Sequence, residues 1–420
     1  MIAESRTTIL QQDLLSVAEE VLAQTPVLDI HTHLFAPKMG SLGLWGIDEL
    51  LTYHYVEAEL FRYSDITPGA YWALNKSDQA DLVWKTLFIE NPPLSESARG
   101  VVAVLSALGL HTHSPDLRSL REYFREQDPA QHIDRVFRLA GVSSVVMTND
   151  PLDPAEVPFW LGEDHGDSRF RAALRLDQFL NEWPCGSAAM AAQGYEVSED
   201  LSSGTLSEVR RFLETWIDRM NPVYMAVSLP HTFRFPAEDI RTRLLTEAVL
   251  PVCRERSLSL SLMIGVRRQV NPALRLAGDA SGRADLSALE TLCRDFPDNR
   301  FLASVLSREN QHELCVYARK FSNLMPFGCW WFLNNPSVVE EITRERFEML
   351  GTSFIPQHSD ARVLEQVIYK WRNTRRTLAP LLAERFAWLA QDGRQSTRED
   401  ITAVAARLFQ TNFENWTNLA

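Results

Sequence analysis

An α/β fold of the (β/α)8 TIM-type barrel class follows from three features of the 420-residue chain. Strand-like apolar runs recur at 27–33, 142–148, 170–177, 223–230, 258–265, 301–307, 324–332 and 352–360, which makes eight. Helix-periodic stretches follow many of them. The runs are too uniformly apolar to leave one face in water, as expected of parallel strands covered on both sides. Eight strand–helix units in one chain point to a closed barrel, with a doubly wound open sheet as the competing architecture.

Each element has its own signature. The first run is Val27-Leu28-Asp29-Ile30-His31-Thr32-His33. After the sixth run a helix is expected over 311–320, and after the eighth another over 361–372. In the latter, Leu364, Val367, Ile368 and Trp371 fall at i, i+3, i+4 and i+7. Two intervals are too long to be simple connections: 34–135 after the first strand and 178–220 after the third. The second carries one helical stripe of Val209, Phe212, Leu213, Trp216, Ile217 and Met220. Insertions at these positions emerge at the C-terminal face of a barrel, so they are expected to wall the active site. C-terminal helices complete the chain, the last opened by a capping-box spacing of Ser396 and Glu399. Without a repeat or a linker rich in Gly, Ser or Pro, residues 1–420 read as one barrel domain.

Composition narrows the function classes. Hydrophobic residues make up 45% and charged residues 23%, ordinary for a globular protein, and the net charge is −13. That balance argues against nucleic acid or an anionic membrane as partner, although a local arginine pocket can still hold a small anion. The first fifteen residues include Glu4, Arg6 and Asp13 and no apolar signal core, and no run approaches the ~20 apolar residues of a membrane span. Five scattered cysteines without a CxxC pair read as reduced thiols, and the expected compartment is cytoplasmic. Self-association is plausible given the large insertions.

The chemistry concentrates at strand ends. His31 and His33, at i and i+2 on an extended segment, project to the same side, and neutral imidazole suits a divalent ion. Asp360 ends the eighth strand, which in a barrel lies beside the first, so a carboxylate and two imidazoles converge across more than three hundred residues. The plain alternative is that Asp360 caps the helix expected from Ala361. Arg362, in the first turn of that helix, opposes the macrodipole, which suits a role toward anionic oxygen. Arg175, at the end of the third strand, either pairs with Asp177 or holds a carboxylated ligand. His54 and Tyr55 offer an acid or base. Of Trp330 and Trp331, one faces the core while the other stacks on a ring. A second His-Thr-His, His111–His113, follows a helical pattern and precedes a Ser114-Pro115-Asp116 turn, and is read as a decoy.

Taken together, these segments resemble the amidohydrolase superfamily, and more specifically the uronate isomerases. The resemblance rests on 27–33, Leu51-Thr52-Tyr53-His54-Tyr55, Arg175-Leu176-Asp177, Ser307-Arg308-Glu309-Asn310-Gln311-His312, Phe327-Gly328-Cys329-Trp330-Trp331-Phe332 and Gln357-His358-Ser359-Asp360-Ala361-Arg362. It implies interconversion of D-glucuronate with D-fructuronate and of D-galacturonate with D-tagaturonate. It further implies one divalent metal ion, with zinc the expected species, on His31, His33 and Asp360. Tyr55, His54, Arg175, Arg362 and Trp331 would contact a hexuronate, with Tyr55, His54, Asp360 and Arg362 catalytic. The chain departs from the superfamily pattern at strands five and six, which end in Met263-Ile264-Gly265 and Val305-Leu306-Ser307 rather than in histidines. A metal-dependent hydrolase of a lactone or amide on the same fold is the alternative.

Overall fold

The computed structural model describes residues 8–162, 166–202 and 204–419. Parallel strands β1 (Val27–Thr32), β2 (Val142–Asn149), β3 (Phe170–Arg175), β4 (Tyr224–Pro230) and β5 (Ser259–Arg267) pair in chain order. A two-residue strand β6 (Ala280–Ser281) folds back antiparallel on β5. Strands β7 (Phe301–Val305) and β8 (Leu324–Pro326) then continue the parallel order from β5. Leu28, Ile30, Val146, Ala173, Ala226 and Met263 fill the interior with buried side chains. Val27, Val145, Ala172, Met225 and Leu262 pack outward against the helices. The two-residue alternation places both sets on the same strands, and explains why the runs look apolar throughout.

The eighth expected strand is not a strand. Residues 352–360 leave a turn at Thr352 and make only scattered ladder bonds. Ile355 N–H donates to Pro326 O at 3.0 Å and Gly328 N–H to Ile355 O at 2.9 Å. On the other side Asp360 N–H donates to His31 O at 3.1 Å, and His33 N–H to Ala361 O at 2.8 Å. These bonds close the ring between β8 and β1. Pro356 has no N–H to give, and Asp360 sits at φ 51°, outside the strand region, so a regular ladder cannot form. The seventh run is also shorter than expected. Its ladder stops at Pro326, Gly328 turns at φ +65°, and Trp331 lies in a 3-10 turn, Trp331–Leu333. A Cβ on Gly328 would fall 2.0 Å from the His358 ring, so glycine is required there on two counts.

Helices surround the ring. Pro129–Ala140 shows how local sequence sets their limits. Asp128 accepts from Gln131 N–H, proline occupies the first turn, and Gly141 ends the helix at φ 64°. The helix expected over 361–372 begins instead at Gln366 and runs to Gln391. Arg362 therefore lies in the connection before it, and Asp360 caps nothing. The Gln366 side chain accepts from the N–H groups of Arg362 and Val363. At the C-terminal end, the capping box is formed by Thr397 and Asp400, one residue later than expected.

The first insertion contributes helices that include Ile47–Leu51, His54–Tyr63 and Glu96–Ala107, and the second contributes Trp183–Ala192 and Thr205–Met220. The first is fastened to the connection after Asp360 by a buried pair. His132 Nε2 lies 2.7 Å from Glu365 Oε1, both side chains are fully buried, and Gly46 N–H donates to the same carboxylate at 3.2 Å. Removing the histidine leaves the buried Glu365 carboxylate with the Gly46 N–H alone. His132→Ala is therefore expected to lower unfolding free energy by about 3 kcal/mol in urea denaturation.

Candidate metal centre and active site

His31 and His33 stand at the C-terminal end of β1, their rings edge to face at 5.5 Å. Asp360 Oδ1 is 3.7 Å from His31 Nε2 and 3.4 Å from His33 Nε2. It is buried, with the two imidazoles as its neighbours. One ligand atom from each of the three residues lies within 4.8 Å of the others. The convergence expected from the sequence is thus present, although an irregular segment rather than a strand delivers the carboxylate.

Hydrogen bonds fix which imidazole nitrogens carry protons. Tyr224 donates its hydroxyl to Ile30 O at 2.7 Å and lies 3.2 Å from His31 Nδ1. With that hydrogen committed, the phenolic oxygen accepts, and His31 Nδ1 must be the protonated nitrogen. Thr148 repeats the device: its hydroxyl donates to Thr32 O at 3.0 Å and accepts from His33 Nδ1 at 3.0 Å. Both Nε2 atoms then turn lone pairs toward the Asp360 carboxylate. Burial holds both imidazoles below the ordinary histidine range, so they are neutral. Asp360 lies well below the usual carboxylate range, because the surrounding histidines outweigh its burial. Three electron-pair donors gathered this closely suit a divalent cation.

Asp29 sets the position of this group. It is fully buried, accepts from Ser359 N–H at 3.0 Å through one oxygen and from Trp371 Nε1–H at 2.8 Å through the other. Burial raises its pKa to about 6, against the pull of those donors. Asp360 itself is held at φ 51°, a conformation costing of order 1–3 kcal/mol, which persists only where neighbours enforce it.

The other expected residues gather nearby. His54 opens the helix His54–Tyr63, 4.5 Å from the Tyr55 ring and 6.0 Å from Trp331 between centroids. Burial, reinforced by Arg362, pushes its pKa down to about 3, so it is neutral. Burial raises Tyr55 well above the ordinary phenol range. The hydroxyls of Tyr53 and Tyr55, the indole nitrogen of Trp331 and both ring nitrogens of His358 are buried without a hydrogen-bond partner. Polar atoms stranded in this way mark a place prepared for a ligand's own polar groups. Arg362 makes no ion pair with any described residue, and its charge acts on His33 and His54. Arg175, last residue of β3, bonds Asp177 Oδ1 at 3.0 Å. Both arginines line a cavity of about 1070 Å³ at the strand C-termini. His111 and His113 lie in an exposed turn away from the group, as expected of a decoy.

Sequence reasoning passed over Asp29, Tyr224, Thr148 and His358 as site residues. Asp29 carried a usable signal, a carboxylate inside an apolar strand. Tyr224 and Thr148 carried none, because a polar residue near a strand end is commonplace.

No family model and no curated protein matches the chain. Among solved structures it is similar to a uronate isomerase from Bacillus halodurans C-125, with 49% identity over 98% of each chain and a TM-score of 0.96. A uronate isomerase from Thermotoga maritima matches at 16% identity over 98% of this chain and 100% of that one, with a TM-score of 0.74. Glucuronate isomerase from Caulobacter crescentus matches at 15% identity over 97% and 94%, with a TM-score of 0.71. These last two establish the fold alone.

If Tyr224 and Thr148 orient the imidazoles, Tyr224→Phe and Thr148→Val should each weaken divalent-ion binding by about 10–100-fold in chelator competition. Because both imidazoles titrate below the ordinary range, affinity should stay level as pH falls to about 6.5 and decline only below it. A decline centred on the ordinary histidine pKa would contradict the assignment. The fold, the strand-end donor group and the extent of identity agree: the chain belongs to the uronate isomerase family.

Proposed function

We propose that the chain interconverts D-glucuronate with D-fructuronate and D-galacturonate with D-tagaturonate, by proton transfer between C2 and C1 of the open-chain sugar. The observation that carries this reading is the set of three converging electron-pair donors, one each from His31, His33 and Asp360, close to Arg362, which lines the neighbouring cavity with Arg175. Held by these donors, a divalent ion, for which zinc is our choice, would supply Lewis-acid polarisation of the sugar carbonyl and so acidify the C2 hydrogen.

The chain's own residues do the rest. Arg175 is oriented by Asp177, and its remaining N–H donors face the cavity, where they suit the C6 carboxylate. That pairing selects uronates over neutral sugars. Arg362, paired with no carboxylate among the described residues, stabilises negative charge as it develops on the enediolate oxygens. Tyr55 moves the proton. As its hydroxyl proton passes to His54, the Tyr55 oxygen takes the C2 hydrogen; that bond's electron pair forms the C1–C2 double bond while the carbonyl pair moves to O1, and return of the proton to C1 with transfer of the O2 proton to O1 yields the ketose. Burial keeps the Tyr55 hydroxyl protonated at rest, and Arg362 opposes that effect. His54, neutral and in ring contact with Tyr55, relays the proton. Asp360 assists opening of the cyclic hemiacetal, and Trp331 offers its buried indole N–H to a sugar hydroxyl.

Among the described residues no helix is long and apolar enough to cross a membrane. The substrate is a small molecule; the cytoplasm as compartment and a homo-oligomeric state belong to the proposal.

The deciding experiment follows ketouronate formation from both aldouronates with the metal-replete protein, after chelation and after zinc is restored. Turnover should vanish on chelation and return with the ion. Hydrolysis of a lactone with no isomerisation would transfer the site to the hydrolase reading. Tyr55→Phe should lower kcat by about 100-fold or more with little change in KM; full turnover would remove Tyr55 from the proton path. Arg175→Met should raise KM for uronates by at least about tenfold.

A further inference from the structure

The cavity at the barrel mouth is larger than one hexuronate needs. Its roughly 1070 Å³ is the scale of a drug-sized ligand, whereas isomerisation engages a single open-chain sugar at the inner end, beside Arg175 and Arg362. The outer end is formed by residues 268–279, the connection after β5. Asp279, its side chain 1% exposed, accepts from Arg268 at 2.6 Å and from Gln269 N–H at 2.8 Å. Trp72 Nε1–H donates to Ala273 O at 2.8 Å, and the Arg275 guanidinium lies 4.5 Å from the Trp72 ring. Gln269 and Arg275 both hold left-handed φ values, 48° and 55°, a strain that these contacts sustain. A loop restrained from both sides is a wall rather than a swinging lid.

That wall leaves apolar side chains in water. Val270 is 53% and Leu276 52% exposed, and both line the cavity. The Arg268 guanidinium lies 5.8 Å from the ring of Trp331, which stands outside that wall with the 40% exposed Phe332 stacked on it at 5.0 Å and 12°. Exposed apolar and aromatic surface interleaved with a guanidinium matches the C–H face and carboxylate of a sugar acid.

We propose that this outer end is a subsite for a second uronosyl residue, joined by a glycosidic bond to the uronate whose C1 and C2 react. The enzyme then isomerises the free reducing end of a diuronate as well as the monosaccharide. The inference rests on the isomerase reading. Its chemistry is the same hydrogen transfer from C2 to C1: the glycosidic bond stays intact and no co-reactant is consumed. Such a substrate is what depolymerisation of a uronate polymer supplies.

The test compares galacturonate with α-1,4-linked digalacturonate on the zinc-loaded enzyme, following new ketose ends by NMR. The wild type should convert both. The V270D/L276D variant should lose about tenfold in kcat/KM for the disaccharide through like-charge repulsion, with the monosaccharide essentially unchanged, and Leu276→Lys should shift the disaccharide in the opposite direction. Conversion of galacturonate but not of the disaccharide overturns the subsite alone. Disaccharide turnover indifferent to both charge changes also overturns it. Failure to convert either sugar defeats the isomerase reading itself.

Discussion

The site depends on one buried carboxylate, that of Asp29, reaching from the first strand to two places at once. Its bonds to Ser359 N–H and Trp371 Nε1–H fix the connection that carries Asp360 and the long helix behind it. Burying a charge is costly unless it is well satisfied, and here two donors answer its two oxygens. The return is geometric. Asp360 holds a conformation that a free chain rarely visits, and its carboxylate faces two histidines whose own proton positions are set by Tyr224 and Thr148. Each bond in the series removes a degree of freedom from the donor atoms, which is how a site becomes preorganised.

Electrostatically the same region is arranged to stay empty of protons. Burial keeps His31, His33, His54 and His358 neutral, while Asp360, against its own burial, is held below the usual carboxylate range by the histidines around it. A cluster of four neutral imidazoles around a carboxylate is poorly solvated by protein alone. Its stranded polar atoms acquire partners only when an ion and a hydroxyl-rich molecule are present. The low affinity of the pocket for protons is thus the counterpart of its proposed affinity for both.

Much of this was legible in the sequence because it follows from periodicity. Seven of eight staves appear where apolar runs predicted them, and His31, His33 and Asp360 converge because a closed ring makes first and last neighbours. The exceptions have local causes. Pro356 and the left-handed Asp360 prevent a regular eighth strand, Pro326 and Gly328 cut the seventh short, and Gln366 turns back on the Arg362 N–H and postpones the helix. Proline and glycine mark these breaks in the sequence, but the apolar runs continue across them. The tautomer-setting roles of Tyr224 and Thr148 could not be read at all, since they arise from contacts between strands, and no periodicity encodes which hydroxyl meets which ring.

The irregular closing segment has a thermodynamic corollary. Parallel ladders join the neighbouring strands from β1 to β8, but the last stave is stitched to its two neighbours by a few isolated bonds, so the cylinder has a seam between its two ends. Two of the three converging donors come from one lip of that seam and the third from the other. An ion gripped by all three would act as a rivet, its binding free energy adding directly to the cohesion of the ring. Catalytic readiness and mechanical closure would then be gained, or lost, in a single event.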